Sequence, residues 1–428
     1  MLDINFIREN KEIVQRAIKD KRVNFDLDAF LLIEQTRRDL LKRIEDLRCQ
    51  KNNNTDKIEL NPKASQDLIA TNKELKITLG ALEDEFRVID AQYQALVLLV
   101  PNIPSDDSPR GDSDKENSEV CRKGVIPSFD FPLKDHIELG SNLNILDLEA
   151  GVNISGYRGY CLKNEAVLMH LGLIMHSINN AVQAGFELVL PPTLVKEFAL
   201  VGSGHFPSAK DETYEIVNQD SSKDKLFLTG TSESSLLAQN RDKIFEEKDL
   251  PIKLCGFSQC YRSEIGSYGK DTKGIYRIHE FMKVELVVLC ASVPEESAKW
   301  LEDLRTMSEG VLNDLELPYR VMQVCTGDMG LGKYKMYDIE TWMPSRNNYG
   351  ETHSDSNLTD WQARRLNIRY KDKNGDIKFV HTLNNTAIAS PRILIAILEN
   401  NQRSDGSVKV PKILQPYVGK DVIKPVAI

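Results

Sequence analysis

Several features are missing from this 428-residue chain, and each absence narrows what it can be. No run of eighteen apolar residues occurs, so no segment is long enough to cross a bilayer as a helix. The first residues, MLDINFIRENKEIV, alternate charged and apolar positions as a folded helix does. They lack the apolar core of a secretory signal and the Arg-rich, acid-poor pattern of a transit peptide, so a cytoplasmic protein is expected. No C-x-x-C occurs among the seven cysteines, at 49, 121, 161, 255, 260, 290 and 325, and their odd number indicates no disulfide framework. Cys255 and Cys260 lie near His279, but a structural zinc site needs four well-spaced ligands, so both read as strand residues. Excess positive charge is lacking too. The net charge of −9 excludes indiscriminate nucleic-acid binding, while leaving room for a local basic surface.

A true phosphate loop is also absent. GDMGLGKY, residues 327–334, misses G-x-x-x-x-G-K-[ST] at one position, its last, where Tyr334 replaces a small hydroxyl. The following KYKMYDIETWMP alternates with period two, which predicts a strand where that motif requires a helix. The segment therefore reads as a Gly-rich turn between strands, and any nucleotide must bind elsewhere.

What is present divides into two architectures, as the length allows. Leu68, Leu75, Leu79, Leu82, Phe86, Ile89, Tyr93 and Leu96 form a heptad pattern, with Asn72 in its one polar slot. Ile33, Leu40, Ile44 and Leu47 repeat it more weakly, with Arg37 in a seam position. KNNNTDKIELNPKAS between them is turn-rich, so the prediction is an antiparallel helical hairpin projecting roughly 40–50 Å. Residues 37–76 hold ten basic and seven acidic side chains, whereas 77–100 hold one and four. The hairpin is thus positive towards its tip, as an arm approaching phosphates would be. VPNIPSDDSPRGDSDKEN, residues 100–117, reads as a linker. Beyond it, helical runs such as VLMHLGLIMHSINNAV mix irregularly with strands such as FELVLPP and KLFLTG, an α+β pattern. The expected domains are residues 1–110, the helical arm, and 111–428.

Four segments carry the chemistry. In CYRSEIGSYGKDTKGIYRIHEFMKVE, residues 260–285, a strand ends in Arg262 and Glu264, expected on one face by strand alternation. A loop with three glycines follows, and the returning strand aligns Phe281, Lys283 and Glu285 on one face. Charges on a half-buried face are costly unless partners or ligands satisfy them. Glu285 precedes LVVLC, a buried type of strand, so its placement suggests a ligand. In HTLNNTAIASPRILIAILEN, Ser390 reads as an N-cap, Pro391 as the first helical residue, and Arg392 as a first-turn cation set against the helix dipole. A polyanion at that helix start would reconcile Arg392 with its position, and Arg262 could clamp the same triphosphate. LTGTSESSLLA and YGETHSDSN are weaker signals, each compatible with an ordinary cap or turn.

Together these segments resemble the class II aminoacyl-tRNA synthetases in their seryl form. R-x-E, the Gly-rich loop and R-x-H-x-F-x-K-V-E are similar to motif 2, GFELVLPPTLV to motif 1 with its dimer-interface proline, and the Arg392 helix to motif 3. MLDINFIREN, the hairpin, VPNIPSDD, CTGDMG and QARRLNIRY match the seryl family in order, so the resemblance covers essentially the whole chain. It implies a coiled-coil arm for tRNA and a catalytic domain built on a mainly antiparallel sheet flanked by helices. It also implies a homodimer using ATP, L-serine and tRNA(Ser), and leaves tRNA(Sec) open as a further acceptor. Arg262 and Arg392 would be the catalytic arginines on the phosphates. Ser263, Glu264, Ile278, His279, Glu280, Phe281, Glu351, Thr352, His353 and Ser354 would complete the ATP site, with Phe281 stacking on adenine. Glu351 and Ser354 would hold Mg2+. Thr231, Ser232 and Glu233 would take the α-amino group, and Glu285 with Thr386, beside Asn384 and Arg262, would read the serine hydroxyl. A Glu285 left unpaired would penalise alanine by roughly 10⁴-fold or more.

Some positions depart from the family. Asn385-Thr386 stands where Gly-Ser is common, with Thr386 keeping the hydroxyl, and His353 reads as a supporting or surface residue. Arg37, Arg38, Lys42, Arg43, Arg48 and Lys51 are the candidate tRNA contacts. Two other readings remain: a ligase that loads an amino acid onto a carrier protein, and an inactive paralogue serving as a coiled-coil scaffold.

Overall fold

A computed structural model of the chain describes residues 1–61, 66–217, 224–265 and 273–426. The turn of the hairpin at 62–65 and most of the Gly-rich loop, 266–272, lie outside the described residues. The chain forms two compact units, one of Met1–Lys19 with Val23–Pro101, the other of Asp20–Arg22 with Asn102–Ile428.

The first unit contains the predicted hairpin. Helix Leu27–Leu60 starts where the Asp26 carboxylate caps the Ala29 amide, and it packs along helix Gln66–Val97. Leu40, Ile44, Leu79 and Leu82 are buried at the seam, with Leu47, Phe86 and Ile89 packed against them. Burying each such side chain contributes about 1.5–3 kcal/mol, which these long helices need because their other faces are polar. Asn72, the polar heptad position, accepts from Asn54 Nδ2 at 3.2 Å and donates to Thr55 Oγ1 at 3.2 Å, so it pairs across the seam. Arg37 bonds Asp90 and lies 4.7 Å from the Tyr93 ring centroid, which explains a cation in an apolar seam.

In the second unit an eight-stranded sheet supplies the frame. Its strands in chain order are β1 (Ser118–Lys123), β2 (Glu187–Val189), β3 (Ile252–Tyr261), β4 (Glu280–Cys290), β5 (Tyr319–Gln323), β6 (Lys335–Met343), β7 (Asn348–Asn357) and β8 (His381–Ser390). Their spatial order is β1-β5-β6-β7-β8-β4-β3-β2, antiparallel except for the parallel β2–β3 pair. Strand β4 shows how the sequence sets the faces. Val284, Leu286, Val288 and Cys290 enter the main core, which helices Asn164–Gln183, Pro294–Asp314 and Arg392–Asn400 help to form. Val287 and Leu289 enter a smaller cluster with Leu236, Leu237 and Leu366. Lys283 and Glu285 share the face of this second set, so the strand is buried on both sides and polar only at its start.

Two readings of the sequence change here. The residues expected as a linker are anchored instead: Asn102, Ser105 and Ser108 are buried, and Asn102 Nδ2 donates to the Gly332 and Leu358 carbonyls at 3.0 and 2.9 Å. Proline and serine content signalled irregular backbone, but irregular backbone can pack when side chains and turns satisfy it. Ser390 does not cap the next helix, since it ends β8 and its hydroxyl lies 2.7 Å from His170 Nδ1.

Candidate functional site

A pocket opens where the starts of β4 and helix Arg392–Asn400 meet β7, β8 and helix Glu233–Ala238. The short helix approaches the sheet closely because Gly256 faces it. A Cβ there would lie 2.7 Å from Ser232 Oγ and 2.8 Å from Leu236, so a larger residue would displace the segment carrying Glu233. Among the predicted site residues, Thr231, Glu233, Arg262, Glu264, Ile278, Phe281, Glu285, Glu351, Thr352, His353, Ser354, Asn384, Thr386 and Arg392 all line this pocket. Ser232, Ser263, His279 and Glu280 do not line it. Ser232 Oγ reaches the Gly256 carbonyl, Ser263 Oγ donates to the Asp211 carbonyl, His279 Nδ1 lies 2.9 Å from the Arg262 carbonyl, and Glu280 accepts from Gln259.

One end is cationic and aromatic. Arg262 is exposed, with its guanidinium carbon 5.3 Å from the Phe281 ring centroid. Arg392 is held more firmly: Nε donates to the Tyr276 carbonyl at 2.9 Å, Nη1 pairs with Glu351 at 3.2 Å, and the group lies 4.4 Å from the Tyr276 centroid. Arg262 and Glu264 lie beyond the end of β3 rather than on it. Glu264 adopts φ +52° and pairs with Arg277 at 3.1 Å and Arg158 at 3.8 Å. A non-glycine residue in that conformation is strained, and such strain persists where surrounding contacts over-determine it.

The other end is built around two buried carboxylates. Glu233 accepts from Gln362 Nε2 at 2.6 Å and Asn384 Nδ2 at 2.8 Å. Burial raises its pKa, but Lys333, His205 and the Gln362 bond more than offset this, leaving a net lowering that keeps it ionised. Glu285 is paired with Lys283 at 2.7 Å and accepts from Thr386 at 3.3 Å, its cross-strand neighbour. Here burial dominates and its pKa is raised despite Lys283. Lys283, aligned with Glu285 in the sequence but given no role, is its built-in partner, so alanine would not leave this carboxylate unpaired as the sequence reading assumed. His353 is not at the surface either. It is buried, 2.9 Å from Thr352 Oγ1, and burial lowers its pKa to about 4, so the ring is neutral.

Between the two ends, Glu351 and Ser354 stand on β7. Asp338 is the cross-strand neighbour of Ser354, and its Oδ1 is buried without a hydrogen-bond partner among the described residues. The Glu351 carboxylate and the Ser354 hydroxyl, both lining the pocket, are the kind of oxygen donor Mg2+ prefers. No cluster of three or more metal-binding side chains occurs among the described residues, so most of the ion's shell would come from phosphate and water.

Sequence reasoning missed Tyr276, His205, Lys333 and the Gln362 partner of Glu233. Tyr276 and Lys333 did carry signals, the first within the motif 2 segment and the second in the Gly-rich turn set aside as a decoy. That turn indeed joins strands, yet it delivers Lys333 to the pocket.

Comparison with known proteins agrees with this geometry. A family model described as the seryl-tRNA synthetase N-terminal domain matches residues 1–104, and one described as the tRNA synthetase class II core domain (G, H, P, S and T) matches residues 214–401. The serine–tRNA ligase of Deinococcus radiodurans is 44% identical over 423 residues, covering 98% of each chain, and that of Rubrobacter xylanophilus is 40% identical over 428 residues, covering 99% of each. A crystal structure of seryl-tRNA synthetase from Pyrococcus horikoshii complexed with ATP superposes with a TM-score of 0.91 at 35% identity over the full length of both chains. The cytoplasmic enzyme of Naegleria fowleri in complex with AMP gives 0.86 at 28% identity, over 100% of this chain and 99% of that one. This chain belongs to the seryl-tRNA synthetase family of class II aminoacyl-tRNA synthetases.

Proposed function

We propose that this pocket activates L-serine with ATP and that the chain transfers serine to the 3′ end of tRNA(Ser). The observation that carries this reading is a single pocket divided between a cationic, aromatic end and an end with two buried carboxylates. The first suits a nucleotide triphosphate and the second an α-amino acid with a hydroxyl.

In this reading Phe281 supports adenine, while Arg262 and Arg392 hold the phosphates. Glu233 and Thr231 take the α-ammonium, and Glu285 with Thr386 accepts the serine hydroxyl beside Asn384. The protein supplies no nucleophile. The serine carboxylate attacks the α-phosphorus in line, pyrophosphate leaves, and seryl-adenylate forms. A hydroxyl of the tRNA's terminal adenosine then attacks the mixed anhydride and releases AMP. Positioning and charge stabilisation by the two arginines account for the rate. Mg2+ held by Glu351 and Ser354 would neutralise charge developing on the phosphates.

Two finer statements accompany this. The hairpin is the tRNA arm, with Lys42, Arg43 and Lys51 as its best phosphate contacts; Arg37 and Arg48 are paired with Asp90 and Glu83, and Arg38 lies near Glu34. The second is a homodimer. Leu168, Leu171 and Met175 project from one side of helix Asn164–Gln183 at 40–45% exposure, near Leu188 and Leu190 in sequence. Such an apolar stripe is costly in water unless covered, and a second copy fits the family's architecture. A single-chain mass by sedimentation equilibrium would refute the dimer. Serine-dependent exchange of pyrophosphate into ATP tests the activation step. Exchange with serine alone among the amino acids is expected, and none with any amino acid would overturn the reading.

A further inference from the structure

The Gly-rich turn between β5 and β6 is held by more contacts than a connection requires. Lys21, buried, donates its ammonium to the carbonyls of Gly330, Leu331 and Lys333 at 3.3, 3.0 and 2.5 Å. The Leu331 carbonyl also accepts from the Asn102 amide at 3.0 Å, the Tyr334 carbonyl from the Ser105 amide at 2.8 Å, and the Gly332 carbonyl from the Asn102 side chain. Burying a lysine ammonium against carbonyls is costly, and here it satisfies the backbone of one turn. What the turn presents is Lys333, whose side chain lines the pocket.

Lys333 stands with the amino-acid end. Its charge acts on Glu233, His205 and Glu285. Lys283, the other ammonium there, is committed to Glu285 at 2.7 Å. Among the described residues the Lys333 ammonium has no hydrogen-bond or ion-pair partner. An α-amino acid is a zwitterion, so a buried subsite for it needs a cation as well as an anion. Glu233 supplies the anion.

We infer that Lys333 is a substrate-positioning residue whose ammonium holds the carboxylate of the amino-acid substrate, opposite Glu233 at the α-ammonium. Arg262 meets the same carboxylate from the nucleotide side, and the two cations aim it at the α-phosphorus. The inference rests on the serine-activating reading above. It assigns the Lys21-anchored turn a function that its sequence, rejected as a phosphate loop, did not suggest.

The test is Lys333→Met and Lys333→Arg in the full chain, read by pyrophosphate exchange and by competitive inhibition with L-serinamide, which keeps the ammonium and hydroxyl but lacks the carboxylate. Lys333→Met is expected to raise the KM for serine about 10- to 100-fold, the loss of one charge-assisted hydrogen bond. It should leave the KM for ATP and the inhibition constant of serinamide within about twofold of those of the unaltered chain, and Lys333→Arg should recover part of the loss. An unchanged KM for serine, equal weakening of serine and serinamide, or a shift confined to ATP would each overturn the inference. Exchange by the unaltered chain separates its failure from failure of the function reading.

Discussion

The sharpest residue-level claim concerns Glu285. A carboxylate bonded by both Lys283 and Thr386 is not left orphaned when the substrate lacks a hydroxyl, so the barrier to alanine is smaller than an unpaired carboxylate would give. Glu285→Ala would leave Lys283 buried and unpaired, which confuses stability with specificity. Glu285→Gln keeps the shape and removes the charge. We expect it to narrow the preference for serine over alanine by about 10- to 100-fold in exchange assays. An unchanged preference would remove Glu285 from its role. The sequence placed Glu285 well because LVVLC marked its strand as buried. It did not place Lys283 as partner, because period-two alternation puts two residues on one face without saying that they touch.

At the scale of elements, the back of the sheet carries a polar layer that no sequence pattern announced. Helix Pro294–Asp314 sends Glu302, Arg305, Ser308 and Glu309 toward β1, β5, β6 and β8, where they meet Lys123, Tyr319, Tyr337 and Asn385. Amphipathic periodicity predicts an apolar face for a packed helix, and this one is partly ionic. Asp355 of β7 is fully buried nearby, and neither carboxyl oxygen has a hydrogen-bond partner among the described residues. Burial first, then Glu302, raises its pKa well above the usual value, against the pull of Arg305. A carboxyl whose pKa is raised by folding contributes stability below its unfolded pKa of about 3.9 and loses it as pH rises through the folded pKa. Asp355→Asn should therefore raise the melting temperature at pH 8, by roughly 1–2 °C per kcal/mol recovered, and change it little at pH 4. A larger gain at pH 4 than at pH 8 would contradict this assignment. The two helices of the hairpin, by contrast, were legible, since a long heptad with one polar slot leaves few alternatives. The anchored 102–105 segment was not, because its partners are backbone carbonyls more than two hundred residues away.

For the molecule as a whole, the proposed function gives two units with separate cores two parts of one reaction: the pocket would activate serine, and the arm would select the acceptor. The fold class, the hairpin and the pocket's main residues were readable because several motifs occurred in family order. The turn before β6 was read as joining strands, but the place of Lys333 in the pocket was not, because nothing in the Gly-rich pattern says where its side chain points. The central claim is that serine leaves this chain on tRNA(Ser), guided by the arm, and not on a carrier protein. The measurement that tests it is transfer of labelled serine to tRNA(Ser) by the full chain and by its Lys42→Glu, Arg43→Glu, Lys51→Glu variant. Lys42 and Arg43 are exposed, Lys51 is half-buried, and among the described residues none of the three is in an ion pair across the hairpin seam, so reversing them should spare the fold. The account predicts efficient charging by the full chain, and for the variant a loss of about tenfold or more that narrows with added salt, at equal pyrophosphate exchange. No charging by the full chain despite serine-dependent exchange, or equal charging by both, would contradict it.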